Sequence, residues 1–315
     1  RLRRVPLSLF RLLKRGAKGA LAEARPDDDP VACVLRIPNR ENLMLVTDRG
    51  RIFETPVYRI PECDRTSKGI FAHGMFGFKQ GDDGEELPVA MFAVPKEKEG
   101  RHILFVTTNG VAKRTELLEF THLNTSGMNG MSLRENDTVA GAFCVGETDE
   151  IMAFSSSGKC IRFATSDIPV QGRLAGGVRA MRVGEKERVI AASATNARDH
   201  VLVVSSLGLG KLSPLDEYKV QNRGGTGVFA MKTTSRTGPA AVAACVSLDD
   251  EAFVLLSDGK AVRFRVSDIR ATGRMTQGVL VARPAPGESI KTMTVATPTS
   301  DDMETSPDAE KAEQQ

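Results

Sequence analysis

Arginine recurs at a fixed place along this chain. Arg15, Arg65, Arg173, Arg223 and Arg274 are spaced by 50, 108, 50 and 51 residues, with Ser126 standing in the one step of about 50 that lacks the side chain. A second set, Arg4, Arg114, Arg162 and Arg263, repeats with the same period, and Glu54 and Leu212 fill its other two places. Beside that set lie Arg3, Arg51, Lys113, Lys159, Lys211 and Lys260, while Lys14, Lys18 and Lys68 adjoin the first. A guanidinium is a permanently charged fork of donors that fits two phosphate oxygens at once, and lysine adds a point charge. Such groups in register suit a phosphodiester backbone. Nothing in these positions could read base edges in a groove, so the binding they imply depends on backbone charge and bending of the duplex more than on sequence. A repeated surface arginine also serves as an edge-protecting charge on a strand. Recurrence in register favours the phosphate reading.

Other chemistry finds little footing. The chain has no phosphate-cradling glycine loop followed by Lys-Ser/Thr and no Gly-x-Ser-x-Gly elbow. Glu119, Asp167, Glu217 and Asp268 recur with the same period as the arginines, which scatters them one per repeat instead of converging them on one site. Turn hydrogen bonding or strand-end capping is the role expected of them. Five scattered cysteines, Cys33, Cys63, Cys144, Cys160 and Cys245, contain no Cys-x-x-Cys pair, and the four histidines are far apart. That argues against a disulfide framework and against a zinc site, and fits a reducing cytosol. No catalytic residue, metal ligand or cofactor site is expected in this chain. With no Trp and two Tyr, aromatic base-stacking is not the main strategy either.

The elements that must position the arginines follow from glycine. A turn glycine after a short apolar run recurs at Gly50, Gly110, Gly158, Gly208 and Gly259, and a second follows at Gly69, Gly130, Gly177, Gly227 and Gly278, 19 or 20 residues later. Gly19 holds the second position in a first repeat whose turn glycine would lie just before Arg1. Ten residues past each turn glycine stand Phe10, Ile60, Phe120, Ile168, Tyr218 and Ile269, a core column that makes Tyr218 a packing residue. Runs such as Leu43–Val46, Ile151–Phe154 and Val201–Val204 read as short buried strands. About four such strands per repeat, without sustained helical periodicity, predict an all-β chain of six repeats. Radial packing of small sheets, a six-bladed propeller, is the arrangement that leaves few exposed edges.

The 315 residues are 41% hydrophobic and 26% charged with a net charge of +3, the composition of a soluble globular protein. No apolar run approaches the ~18 residues of a membrane span. The chain opens Arg1-Leu2-Arg3-Arg4 without Met, which reads as a piece of a longer protein. From Pro298 onward six acids face Lys311 alone, so the remainder is more basic than the total. We expect residues 1–297 to form the repeat domain and 298–315 an acidic disordered tail, either a spacer or a competitor for the basic rim.

Two stretches then resemble the glycine-rich signature box, Gln-Arg-Arg-Gly-Gly-Lys-Gly, of the C-terminal domain of the DNA gyrase A subunit. One is Leu13-Lys14-Arg15-Gly16-Ala17-Lys18-Gly19 after Arg4-Val5-Pro6-Leu7-Ser8; the other is Gln221-Asn222-Arg223-Gly224-Gly225-Thr226-Gly227 after Lys211-Leu212-Ser213-Pro214-Leu215. Thr272-Gly273-Arg274-Met275-Thr276-Gln277-Gly278 is similar to the family's last-blade version, and the resemblance spans all six repeats. It implies a six-bladed β-pinwheel, in which blades exchange strands, wrapping duplex DNA on its basic rim. It also implies a bacterial, cytoplasmic, nucleoid-associated parent protein, a type IIA topoisomerase whose core lies on the same chain and whose partner is the ATPase B subunit. ATP and Mg2+ would be used by that parent complex and not by this piece, and Tyr58 and Tyr218 would have no catalytic role. The first box departs at Leu13 and Ala17, which keeps open the related topoisomerase IV A subunit, whose blades bend DNA without strong chiral wrapping. A propeller used as a protein-interaction platform is the other alternative.

Overall fold

The computed structural model describes residues 1–297 except 7–9, 11, 22–32, 65, 66, 79, 82, 83, 122, 124, 125 and 197. Arg65 and the acidic stretch 298–315 therefore lie outside the described residues. The rest is built of antiparallel strands and single helical turns.

Each turn glycine closes a hairpin of two six- or seven-residue strands. The pairs are Asn42–Thr47 with Arg51–Pro56, Arg101–Thr107 with Val111–Glu116, Glu150–Ser155 with Lys159–Ala164, His200–Ser205 with Leu209–Pro214, and Glu251–Leu256 with Lys260–Arg265. Their β-branched and aromatic residues are buried on both faces, as an apolar run without alternation predicts. A third strand from the same repeat pairs with the first: Pro88–Ala93, Val139–Gly146, Val189–Ala194, Ala240–Val246 and Ile290–Ala296. The fourth comes from the next repeat. Met128–Asn129, Val178–Arg179, Val228–Phe229 and Val279–Leu280 each pair with the hairpin of the repeat before, and Ala20–Leu21 pairs with Lys260 and Ala261 of the last.

The described residues thus form five four-stranded blades, not the six expected. The all-β propeller class and the strands per blade stand. The difference lies in the first repeat, whose described residues serve linkage: Leu2 bridges Ile70, Arg4 bridges Glu62, and Ala20–Leu21 completes the last blade. Strand exchange therefore runs from the last repeat back to the first.

Exchange also fixes the register. At Gly227 (φ +71°) an added Cβ would lie 2.1 Å from the carbonyl oxygen of Cys160, so the donated strand can approach its host only without a side chain. In the third repeat the residue in that place is Gly127 (φ +66°, 2.7 Å from the Ile52 oxygen), not Gly130. Gly130 serves a different purpose, leaving room for the Phe105 ring 2.4 Å from where its Cβ would be. Ser126 accordingly drops out of the arginine column, and Leu123 holds that place.

The core lies between neighbouring blades. Leu104, Val106 and Ala112 pack with Ile151, Ile161, Phe163 and Ile168 of the next repeat and with Ala180 and Met181 of its donated segment. Each of the larger side chains contributes ~1.5–3 kcal/mol by leaving water. Five of the six core-column residues, Ile60, Phe120, Ile168, Tyr218 and Ile269, are buried, each just after or within a 3-10 turn, while Phe10 is half-buried against Leu255 and Ala261. Burial pushes the Tyr218 phenol up, as befits a packing residue.

Candidate nucleic-acid interface

The two arginine columns that look alike in sequence do different things. Arg4, Arg114, Arg162 and Arg263 sit on the second hairpin strand or its first-repeat equivalent and reach across to the next repeat. Arg162 donates to the carbonyls of Leu215 (3.1 Å) and Tyr218 (2.9 Å) and pairs with Glu150 at 2.5 Å. Arg4 donates to Ile60 at 3.2 Å, Arg263 to Phe10 at 2.7 Å, and Arg114 to Ile168. Arg114 and Arg263 are anchored by Glu147 and Glu251. Held by the Arg114 fork, the Glu147 carboxyl is pulled below the usual carboxylate range. These four guanidinium groups staple one blade to the carbonyls of the next.

Several of the flanking basic residues also point inward. Lys113 and Lys211 are fully buried. The Lys113 ammonium donates to the carbonyls of Gly130 (2.5 Å), Gly172 (2.9 Å) and Arg173 (2.6 Å), and Lys211 donates to Ala230. Burial pushes both down to about 8. Arg51 is buried too, paired with Glu86 at 2.5 Å and donating to Gly77 and Ser126. Arg3 donates to the Ser67 carbonyl; Lys159 lies over the Phe229 ring (5.6 Å) and Lys260 pairs with Asp258, both half-buried. Surface charge, the expectation for Arg51, Lys113, Arg114 and Lys211, is thus corrected. Each has its head group satisfied within the fold because burying it otherwise is costly.

The column before the second glycine is the outward one. Arg15 and Arg223 are exposed, and Arg173 and Arg274 keep 39% and 34% of their side chains in solvent. Arg173, Arg223 and Arg274 each sit in the loop that leads to a donated strand, close to the 3-10 turn of the repeat before, and Arg15 precedes the donated Ala20–Leu21. Arg223 donates to the Asp167 and Arg179 carbonyls at 2.8 and 3.0 Å. Arg173 lies 3.9 Å from Glu119, and Arg274 lies 3.8 Å from Glu217. The periodic acids thus accompany the rim arginines. Lys14, Lys18 and Lys68 are exposed as well.

The box glycines shape these loops, though not as bare donors. The Gly16 N–H donates to Val281 and the Gly224 N–H to Ala180, at 2.8 and 2.6 Å, and Gly225 accepts from the Arg182 N–H at 2.8 Å. Gly19 and Gly227 lie against the host strands.

A third basic column is not among the sequence expectations. Five residues past the second glycine come Arg182, Lys232 and Arg283, all exposed. Backbone bonds from Arg182 to Gly225 and from Lys232 to Thr276 (3.1 Å) set these residues beside the next box. The same period that found the arginines marks this column in the last three repeats, while Ser132 holds its place in the third.

The profile of the family described as DNA gyrase C-terminal domain, beta-propeller, matches six segments: 1–19, 41–72, 101–146, 149–196, 199–237 and 257–296. The chain belongs to this family. Similar full-length proteins include the DNA gyrase A subunit of Halalkalibacterium halodurans, 41% identical over 93% of this chain and 35% of that protein. The DNA gyrase A subunit of Escherichia coli is 31% identical over 90% of this chain and 32% of its own length. This member of the gyrase C-terminal domain family thus spans about a third of those relatives. A solved DNA gyrase A C-terminal domain superposes with a TM-score of 0.82 at 21% identity, covering 92% of this chain and 94% of that one. The C-terminal domain of DNA topoisomerase IV gives 0.71 at 20%, covering 86% and 84%. At these identities the likenesses speak to fold. Among the described residues no helix is long and apolar enough to cross a membrane.

Proposed function

We propose that this chain is the non-catalytic DNA-wrapping domain of a gyrase A subunit, holding duplex DNA by its backbone along the outward basic columns. The observation that carries the reading is the recurrence of exposed cations on successive exchange loops: Arg15, Arg173, Arg223 and Arg274, joined by Arg182, Lys232 and Arg283. Loops at one repeat spacing offer a curved duplex a cluster of charges on four of the five blades, and neutralising phosphates releases counterions whatever the sequence. In this reading the chain works beside a topoisomerase core within the same polypeptide and with an ATPase B subunit. ATP and Mg2+ serve that bacterial, cytoplasmic complex, and wrapping here lets it introduce negative supercoils.

A second reading, bending without chiral wrapping as proposed for the topoisomerase IV alternative, draws on the first box. Leu13 and Ala17 pack against the core of the last blades, so that box spends two of its positions on anchoring. Binding of the chain to unrelated duplexes at several salt concentrations tests the shared premise. Similar affinities that fall linearly with log salt are expected. Binding confined to one sequence, or none at low salt, contradicts it and moves a protein-interaction platform to first place.

A further inference from the structure

Two carboxylates stand where the rim cations would meet phosphate. We propose that Glu119 and Glu217 are internal competitors of DNA: in the free domain they hold Arg173 and Arg274, and phosphates displace them on binding, so the two acids set the affinity of the rim. This rests on the DNA-binding reading above.

The geometry distinguishes these pairs from the blade staples. Arg162 meets Glu150 at 2.5 Å with its side chain 18% exposed, and it also holds two carbonyls. Arg173 and Arg274, by contrast, meet their acids at 3.9 and 3.8 Å through Nε, with all four side chains between 34% and 39% exposed, and Arg173 also donates to the Met128 thioether at 3.0 Å. Exposed pairs of that length contribute little and are screened by salt, so another anion can take over the guanidinium. The backbone of these loops has anchors besides the side-chain pair. In one, the Lys113 ammonium grips the carbonyls of Gly172 and Arg173. In the other, the Thr272 N–H donates to the Leu212 carbonyl and the Ser213 hydroxyl donates to the Thr272 carbonyl, both at 2.8 Å, while the Arg274 N–H donates to Glu217 at 3.0 Å. The arginine side chain can therefore change partner while its loop stays in place. The intervening repeat differs, because Arg223 uses the backbone carbonyl of Asp167, an acceptor without net charge. Competition is thus built into two of the exchange loops.

The test is duplex binding by E119Q/E217Q, compared with the wild type and with E185Q, which removes one exposed charge elsewhere. Glutamine can still accept the Arg274 N–H that Glu217 accepts at 3.0 Å, so the loop is retained, and an unfolding curve checks this. If the double variant were unstable, E119Q alone would serve. The expected result is about fivefold tighter binding at low salt for the double variant, fading as salt rises, with a smaller change for E185Q. Affinity equal to that of E185Q, or weaker than wild type, overturns the proposal while leaving the DNA-binding reading intact. Failure of the wild type itself to bind overturns both.

Discussion

Arg263 in the last repeat donates to the carbonyl of Phe10 in the first, 253 residues back along the chain, at 2.7 Å. It is the same bond that Arg4 makes to Ile60, Arg114 to Ile168 and Arg162 to Tyr218, each time to the core position ten past the next turn glycine. With Ala20–Leu21 completing the last blade, it ties the two ends of the repeat array together. Arg263→Ala should destabilise the domain by about 2–3 kcal/mol, since it strands a carbonyl and the 10%-exposed Glu251 carboxylate. Urea unfolding measures this. A variant of unchanged stability but weaker DNA binding would put Arg263 on the DNA path instead.

The outward columns predict the reverse pattern. Arg182→Ala, Lys232→Ala and Arg283→Ala should weaken binding to all duplexes alike and leave unfolding nearly unchanged. Each lost phosphate contact should make the slope of log K against log salt shallower by ~0.9. Titration at several salt concentrations reads the slope; an unchanged slope removes that residue from the interface.

Glycine sorts into tolerant and intolerant positions. Gly227→Ala carries a left-handed backbone cost of about 1–2 kcal/mol and, in addition, a contact with the Cys160 oxygen that must push the exchanged strand away. At Gly172 an added Cβ meets nothing within 4 Å, so Gly172→Ala should leave the unfolding midpoint within error. Equal stability of the two variants would contradict the strand-exchange register.

The buried lysines predict a pH dependence. Burial holds Lys113 and Lys211 at about 8 in the folded domain, against an ordinary value of 10.5. Between those values the unfolded chain binds more protons, so their contribution to stability rises with pH from about 8 to 10.5 and is constant below. The buried thiols of Cys160 and Cys245, pushed up to about 12, act in the opposite sense above the ordinary thiol value of 9. Comparing wild type with K113M/K211M isolates the lysines: the wild type should gain stability relative to the variant as pH rises from about 8 toward 10.5. A constant difference would contradict it.

What the sequence makes legible follows from how narrowly physics restricts each position. A turn, a buried strand and a close strand approach each accept few residue types, so glycine and apolar columns reveal the repeats and the all-β class. A cation accepts two fates. Arg162 and Arg223 are the same residue at the same period, and only packing shows that one faces the next blade and the other faces solvent. Basic residues one past the turn glycine, as at Arg51, Lys159 and Lys260, or three past it, as at Lys113 and Lys211, share one strand face because side chains alternate. Two of those lysines and Arg51 are buried struts. The blade count differs from the repeat count because six glycine-marked repeats do not require six hairpins.

Wrapping is tested most directly by the linking-number change trapped when this chain is titrated onto nicked circular DNA and the nick is sealed. Wrapping on a basic rim predicts a positive shift that grows with protein and disappears at high salt. Binding without any shift would contradict wrapping and leave bending alone as the function of the rim.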